Sequence, residues 1–374
     1  MMRHLAWSFA VALWAGAAAG PAVAQAAGPA QYVPAERTFR DWVVGCDNVR
    51  GCIALGLSPA ESAETAFLHL QRDAGRGAQP VVSLVLYNDS EEAPRDRQIH
   101  LTIDGTTIEG VASRRLAEAV PDFPGFLQAT LSAAEVAPLM AALRRGNRLS
   151  IAIDGGTAVD VSLAGAMAAL LFIDDVQGRV DSVGALARSG RRLATVVPEP
   201  PALPVVAARP APEGTPVDPQ RAEAVNNGWA RQAVRDCTLD EPETAASPPT
   251  LGPLSGGRLL VGASCGGGAY NFDSVFGIVQ PSEPLRVEAA RFTLPAVDGS
   301  GPGGSSESLT NPDFEPADGT IGFISKGRGA GDCGSSGIYT WTGDRFALSA
   351  WRVMPECRGV PEPYWPVLWR TREG

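Results

Sequence analysis

Lys326-Gly327-Arg328-Gly329-Ala330-Gly331-Asp332-Cys333-Gly334 is the segment of this chain whose residue types best suit chemistry. Its glycines satisfy the G-x-G-x-x-G spacing of a dinucleotide loop. Such a loop must open a helix, yet Ser335-Ser336-Gly337-Ile338-Tyr339-Thr340-Trp341 continues as a strand. Successive backbone N–H groups could instead form an anion nest, with Lys326 and Arg328 beside it to hold a phosphate or carboxylate. The same cations would lower the pKa of a free Cys333 and make it nucleophilic. In an oxidising compartment Cys333 is expected in a disulfide, which leaves a tight, bulged loop held by that bridge. Asp332, Tyr270, Asn271 and Trp341 complete the ligand-binding candidates around Lys326 and Arg328. No residue is assigned a catalytic role.

Acid–base work at neutral pH calls for histidine, and beyond His4 the chain has His69 and His100. Both fall on expected strands, His100 on the polar face it shares with Thr102. A metal held between them competes with ordinary structural roles. No histidine follows His100, so the C-terminal half holds no Ser-His-Asp or Cys-His centre of its own. Asp174-Asp175 is expected to be solvated at a helix end. Asn311, Asp313, Glu315 and Asp318 form a polar loop that lacks the glycine and bidentate glutamate of an EF-hand. No metal and no cofactor are expected. Trp341, Trp351, Trp365 and Trp369 crowd the C-terminal end together with Tyr339, Phe346 and Tyr364. They serve either as the core of a sheet short of helices or, where exposed, as a platform for sugar rings or a protein partner.

The elements that must position these groups divide at 195–220, a stretch dominated by Pro, Ala and Val that reads as a semi-extended spacer. Regions 33–194 and 221–374 are each long enough for a core. The first reads as an antiparallel sheet with two helices on one side. Strands are expected at 67–70, 81–87 and 99–103, and a hairpin at 149–163 turns through Asp154-Gly155-Gly156-Thr157. Val136, Leu139, Met140 and Leu143 recur at helical spacing after the capping pattern Ser132-Ala133-Ala134-Glu135. Pro138 inside that run means either a kinked helix or no cap there. A second helix carries Leu163, Met167, Leu170 and Leu171 and ends at Gly178. The second region reads as mainly antiparallel β, a meander with strands at 259–263, 274–279, 289–294, 320–325, 337–342, 345–353 and 367–371. The run 298–308 is a Gly/Ser/Pro loop. The fold class is α+β.

Residues 1–24 have the form of a signal peptide: Arg3, an apolar stretch too short to span a bilayer, and the small-x-small site Ala22-Val23-Ala24. All six cysteines (Cys46, Cys52, Cys237, Cys265, Cys333 and Cys357) lie beyond it. An even count in an exported chain points to disulfides. Many connectivities remain open, and sequential pairing (Cys46–Cys52, Cys237–Cys265, Cys333–Cys357) is the expectation. Net charge is −10 and Lys326 is the sole lysine. That excludes nucleic acid and anionic lipid, which need basic patches, and favours a basic partner. No later segment spans a membrane.

Phe39-Arg40-Asp41-Trp42-Val43-Val44-Gly45-Cys46-Asp47-Asn48, the 326–334 run, Cys265-Gly266-Gly267-Gly268-Ala269-Tyr270-Asn271, Pro355-Glu356-Cys357-Arg358-Gly359 and Trp365-Pro366-Val367-Leu368-Trp369-Arg370 together resemble the proteobacterial exported family catalogued as domain of unknown function 1176. Ile173-Asp174-Asp175-Val176-Gln177-Gly178-Arg179 fits the same family. The resemblance implies a periplasmic location and a shared architecture, and it transfers no activity. The reading is a non-enzymatic binding or interaction protein of the envelope, with a protein or glycan partner. One alternative is an inhibitor of a cationic envelope-degrading enzyme such as lysozyme. The other is a hydrolase working through paired carboxylates.

Overall fold

Short runs rich in β-branched and aromatic residues open the chain as Ala35–Phe39 (β1), Trp42–Cys46 (β2), Cys52–Leu57 (β3), Ala66–Arg72 (β4), Val81–Tyr87 (β5), Gln98–Ile103 (β6), Arg114–Leu116 (β7), Glu118–Ala119 (β8) and Phe126–Thr130 (β9). Helix Ala133–Leu143 (α1) precedes the hairpin Arg148–Ile153 (β10) and Val159–Ser162 (β11), and helix Ala166–Val176 (α2) follows it. This computed structural model describes residues 32–88, 98–153, 156–236, 250–299 and 301–374. The expected leader 1–24, the turn residues Asp154 and Gly155, and Cys237 lie outside them. Contacts gather residues 32–374 into one unit.

The strands of the first region pair antiparallel in two sheets, ordered β1-β2-β3-β4-β5-β9-β8 and β11-β10-β6-β7. Alternate residues of a strand face opposite ways. Trp42, Val44, Leu68, Leu70 and Leu84 turn from the larger sheet into a core completed by the smaller sheet and both helices. Trp42 lies across Gly56 of β3, where a Cβ would come within 2.6 Å of its ring. Its indole N–H donates to the Ser162 carbonyl at 2.9 Å. In α1 the stripe Val136, Leu139, Met140 and Leu143 is buried as its spacing predicts, and Pro138 sits inside the helix. Glu135 accepts from the Ser132 backbone N–H at 2.8 Å and from its hydroxyl at 2.7 Å, so the N-terminal signal stands. Asp174 departs from expectation. It is buried, because its carboxylate accepts the Leu186 and Ala187 N–H groups, both at 2.8 Å.

The Pro-rich stretch lies against the protein and forms a paired strand, which its composition did not suggest. Val205–Val206 (β12) pairs in parallel with Arg372 and Glu373, and Arg209 donates its N–H to the Trp341 carbonyl at 2.8 Å. Pro219–Val225 (α3), capped by Asp218, and Arg231–Asp236 (α4) lead into the second region. There follow Thr250–Leu254 (β13), Arg258–Gly267 (β14), Phe272–Val279 (β15), Val287–Ala289 (β16), Phe292–Leu294 (β17), Gly304–Ser306 (β18), Ser308–Thr310 (β19), Asp313–Glu315 (β20), Thr320–Lys326 (β21), Gly334–Trp341 (β22), Phe346–Met354 (β23), Val367–Arg370 (β24) and Arg372–Glu373 (β25). The expected strand 289–294 is two strands. At buried Ala290, which donates to the Phe276 carbonyl at 2.9 Å, the chain leaves the β13-β14-β15-β16 sheet and pairs next with β18. Part of the 298–308 run is therefore strand. β20 to β24 form an antiparallel meander in sequence order. The class is α+β with a mainly β C-terminal region, as expected.

The regions also share a core. Val43, Leu55, Phe67 and Val85 on the back of the larger sheet meet Cys333, Met354, Tyr364 and Trp365. β2 and β3 are therefore buried on both faces, which accounts for their lack of polar alternation.

Candidate functional site

β21 ends at Lys326 and β22 begins at Gly334, so the Gly-rich run is the hairpin loop between paired strands. Gly334 has φ 131°, and a Cβ there would lie 2.0 Å from the Ser325 carbonyl. A glycine is obligatory at this position. Gly334→Ala should cost about 2 kcal/mol of stability, read from urea unfolding; an unchanged midpoint would contradict this loop geometry.

The structure brings five of the six ligand-binding candidates together. Asn271 pairs with the Lys326 backbone like a strand, its Nδ2 donating to the carbonyl at 2.9 Å and its Oδ1 accepting the N–H at 3.0 Å. Tyr270 lies over Gly329. Arg328 grips Asp332 through Nε (2.7 Å) and Nη2 (2.5 Å), and Asp332 also accepts the Gly359 N–H at 2.6 Å. Burial alone would raise the Asp332 pKa, but these hydrogen bonds and the Arg328 charge hold it below the usual carboxylate range. The Gly327 and Gly331 N–H groups are bonded to loop carbonyls. Much of the expected anion nest is thus engaged within the loop itself. Trp341 is the sixth candidate and stands apart. It closes β22, roughly 23 Å along the strand from Gly334, fully buried with its N–H on Ser255 Oγ at 3.0 Å.

Cys333 is bridged to Cys357, and Cys46 to Cys52, as expected. A Cys333 thiolate is therefore ruled out. Cys265 is bridged as well, and its expected partner Cys237 lies outside the described residues. Around these bridges the sequence motifs meet. Asn48 Nδ2 donates to the Arg370 carbonyl at 3.0 Å while its Oδ1 accepts the Arg370 N–H at 2.9 Å. Asp47 pairs with Arg370 at 2.5 Å, and Arg358 with Asp41 at 3.1 Å. A Cβ on Gly45 would strike Pro366. These motif residues build the joint between the two regions.

The other face of the meander holds what sequence reasoning missed. Phe323, Ser325, Ser335, Tyr339, Trp351 and Val353 floor a cleft of about 540 Å³, roofed by β17, β18 and β19. Trp351 Nε1 donates to Ser335 Oγ at 2.7 Å. Serines 305, 306 and 308 and Thr310 add hydroxyls on the roof side. Among its described lining residues there is no Asp, Glu, His, Lys, Arg or Cys. Burial pushes the Tyr339 phenol up, away from neutrality. The available signal was the odd-numbered alternation of aromatics and serines across β21 and β22, which shows only when the strands are set in register.

Among the described residues no group of three His, Cys, Asp or Glu could hold a metal ion. Nor is any helix there long and apolar enough to cross a membrane. No solved structure matches this chain. A relative in Escherichia coli (strain K12), the uncharacterized protein YpfG, is 30% identical over 354 residues, which span 91% of this chain and 94% of that protein. The model of the family described as "Protein of unknown function (DUF1176)" matches residues 36–372. That match takes in both sheet systems, the joint and the cleft, and the chain belongs to the DUF1176 family.

Proposed function

We propose that this is an exported, periplasmic binding protein of the cell envelope that takes an uncharged glycan in the aromatic cleft and performs no reaction there. The observation that carries this reading is that the cleft's described lining combines aromatic and apolar side chains with hydroxyls and includes no charged side chain. Its volume suits a small ligand, and aromatic walls with a few placed polar groups are what such sites use. General acid–base catalysis needs a group that titrates near the working pH, and this lining offers none. The buried carboxylates elsewhere do not supply one either. Asp47, Asp174 and Asp332 are each taken up by backbone N–H groups. The disulfides and the signal-like N-terminus favour an oxidising compartment.

Titration of the intrinsic tryptophan fluorescence with N-acetylglucosamine oligomers tests the reading. A saturable change is expected, because Trp351 lies in the cleft wall. Phe323→Ala should weaken binding about tenfold, the equivalent of about 1.4 kcal/mol. No saturable change with the wild-type protein would remove the glycan assignment.

A further inference from the structure

A second pocket, of about 420 Å³, lies between the end of β4, α1 and the segment 179–194. Arg72, Arg76, Arg144 and Arg179 border it, and no carboxylate does among its described lining residues. In a chain of net charge −10 this is a local reversal of sign.

Arg72 and Arg179 are 3% and 1% exposed. Both are held from behind. Arg72 donates through Nη1 to the Gly184 carbonyl at 2.8 Å and through Nε to the Ala78 carbonyl at 3.3 Å. Arg179 donates through Nε to Gln177 Oε1 at 3.1 Å and through Nη2 to the Gly75 carbonyl. That leaves Arg72 Nη2 and Arg179 Nη1 without an acceptor among the described residues. Both nitrogens border Gly184. A Cβ built on Gly184 would sit 3.4 Å from Arg179 Nη1 and 3.5 Å from Arg72 Nη2. Gly184 is not among the positive-φ glycines, so its backbone would accept a side chain.

The other charges around the pocket are accounted for. Arg76 pairs with Glu199 at 2.6 Å, and Arg144 donates to the Ala187 and Leu186 carbonyls at 2.7 and 3.0 Å. Asp174 spends its oxygens on backbone N–H groups. Burial, then the neighbouring Arg179 charge, lowers the Arg72 pKa to about 10, with Asp174 opposing in part. Two buried like charges with free donors suit a shared oxyanion, to which guanidinium hydrogen bonds are strong and directional.

We propose that this pocket is an oxyanion site for a phosphate group, held by Arg72 Nη2 and Arg179 Nη1 beside Gly184. The phosphate is either free or the head of a monoester whose body lies against Val136, Met140 and Leu186.

Isothermal titration of the disulfide-bonded protein with inorganic phosphate and with phenyl phosphate, at constant ionic strength, tests it. Saturable one-to-one binding is expected. Gly184→Ala should weaken it about tenfold, because the methyl intrudes on the space beside both nitrogens and removes no charge. Its added Cβ makes only ordinary van der Waals contacts, so folding is preserved, and Arg179→Gln provides a second loss. Tighter binding of phenyl phosphate assigns the apolar wall to an ester, and equal affinity assigns the site to free phosphate. Absence of saturable binding of either probe by about 10 mM, or equal binding by wild type and Gly184→Ala, overturns the site.

Discussion

Trp365→Ala is expected to lower the unfolding free energy by about 3–5 kcal/mol, and to lower it for both regions at once. Trp365 is fully buried in the core that joins the back of the larger sheet to the meander. Truncation removes an aromatic side chain that the surroundings cannot refill. It also strands the Val360 carbonyl, which accepts the indole N–H at 2.9 Å. The neighbouring backbone cannot collapse inward, because Pro366 already sits where a Cβ on Gly45 would be. The ion pairs Arg370–Asp47 and Arg358–Asp41 tie the same joint from either side. Urea unfolding followed by far-ultraviolet circular dichroism and by tryptophan fluorescence should therefore show one transition, shifted together in the variant. Two separated transitions, with only the second region destabilised, would mean that the shared core does not couple the regions.

Much of this architecture is legible in the sequence where one physical signal dominates. The period-3.6 stripe of α1 and the period-2 alternation of β6 place those elements, and the burial of Ile99, Leu101 and Ile103 follows the pattern. The joint is absent from the expected elements, which include no strand at 42–46 or 52–57. Val43-Val44 and Ile53-Ala54-Leu55 carry no polar alternation, the mark of a strand covered on both sides, but nothing local names what covers the second face. The answer lies some three hundred residues away in Trp365 and Met354, a pairing that only tertiary contacts decide. The fate of Asp174 was hidden for a similar reason. Two adjacent aspartates at a helix end resemble a solvated terminus until Leu186 and Ala187 turn back to offer their N–H groups. Both candidate sites escaped the sequence alone. Phe323, Ser335 and Trp351 lie on three different strands, and Arg72 and Arg179 are separated by most of the first region. The motif-bearing loop, which drew attention first, spends its Arg328 and Asp332 on each other.

The second large effect is expected in acid. His69 packs edge-on against Tyr364, with ring centroids 5.4 Å apart, and burial lowers its pKa from 6.5 to about 4. The unfolded chain therefore takes up this proton more readily than the folded one. Above pH 6.5 both states are neutral at His69 and nothing is lost. As pH falls from 6.5 towards 4, unfolding absorbs a proton, and the stability drops by about 3 kcal/mol at the lower end. Other groups move in other windows. At Glu135 burial acts upward, but hydrogen bonds from Arg115, Ser132 and Ala112 prevail and bring it from 4.5 to about 2, so its contribution fades only below pH 4.5. Burial raises Asp47 and Asp174, which makes them add stability as pH falls. A difference measurement isolates the histidine. His69→Leu keeps the apolar contact with Tyr364 and removes the titration. The stability of wild type minus variant should then fall by about 3 kcal/mol between neutral pH and pH 4. A difference that stays flat across that range would mean that the half-buried position of His69 does not depress its pKa.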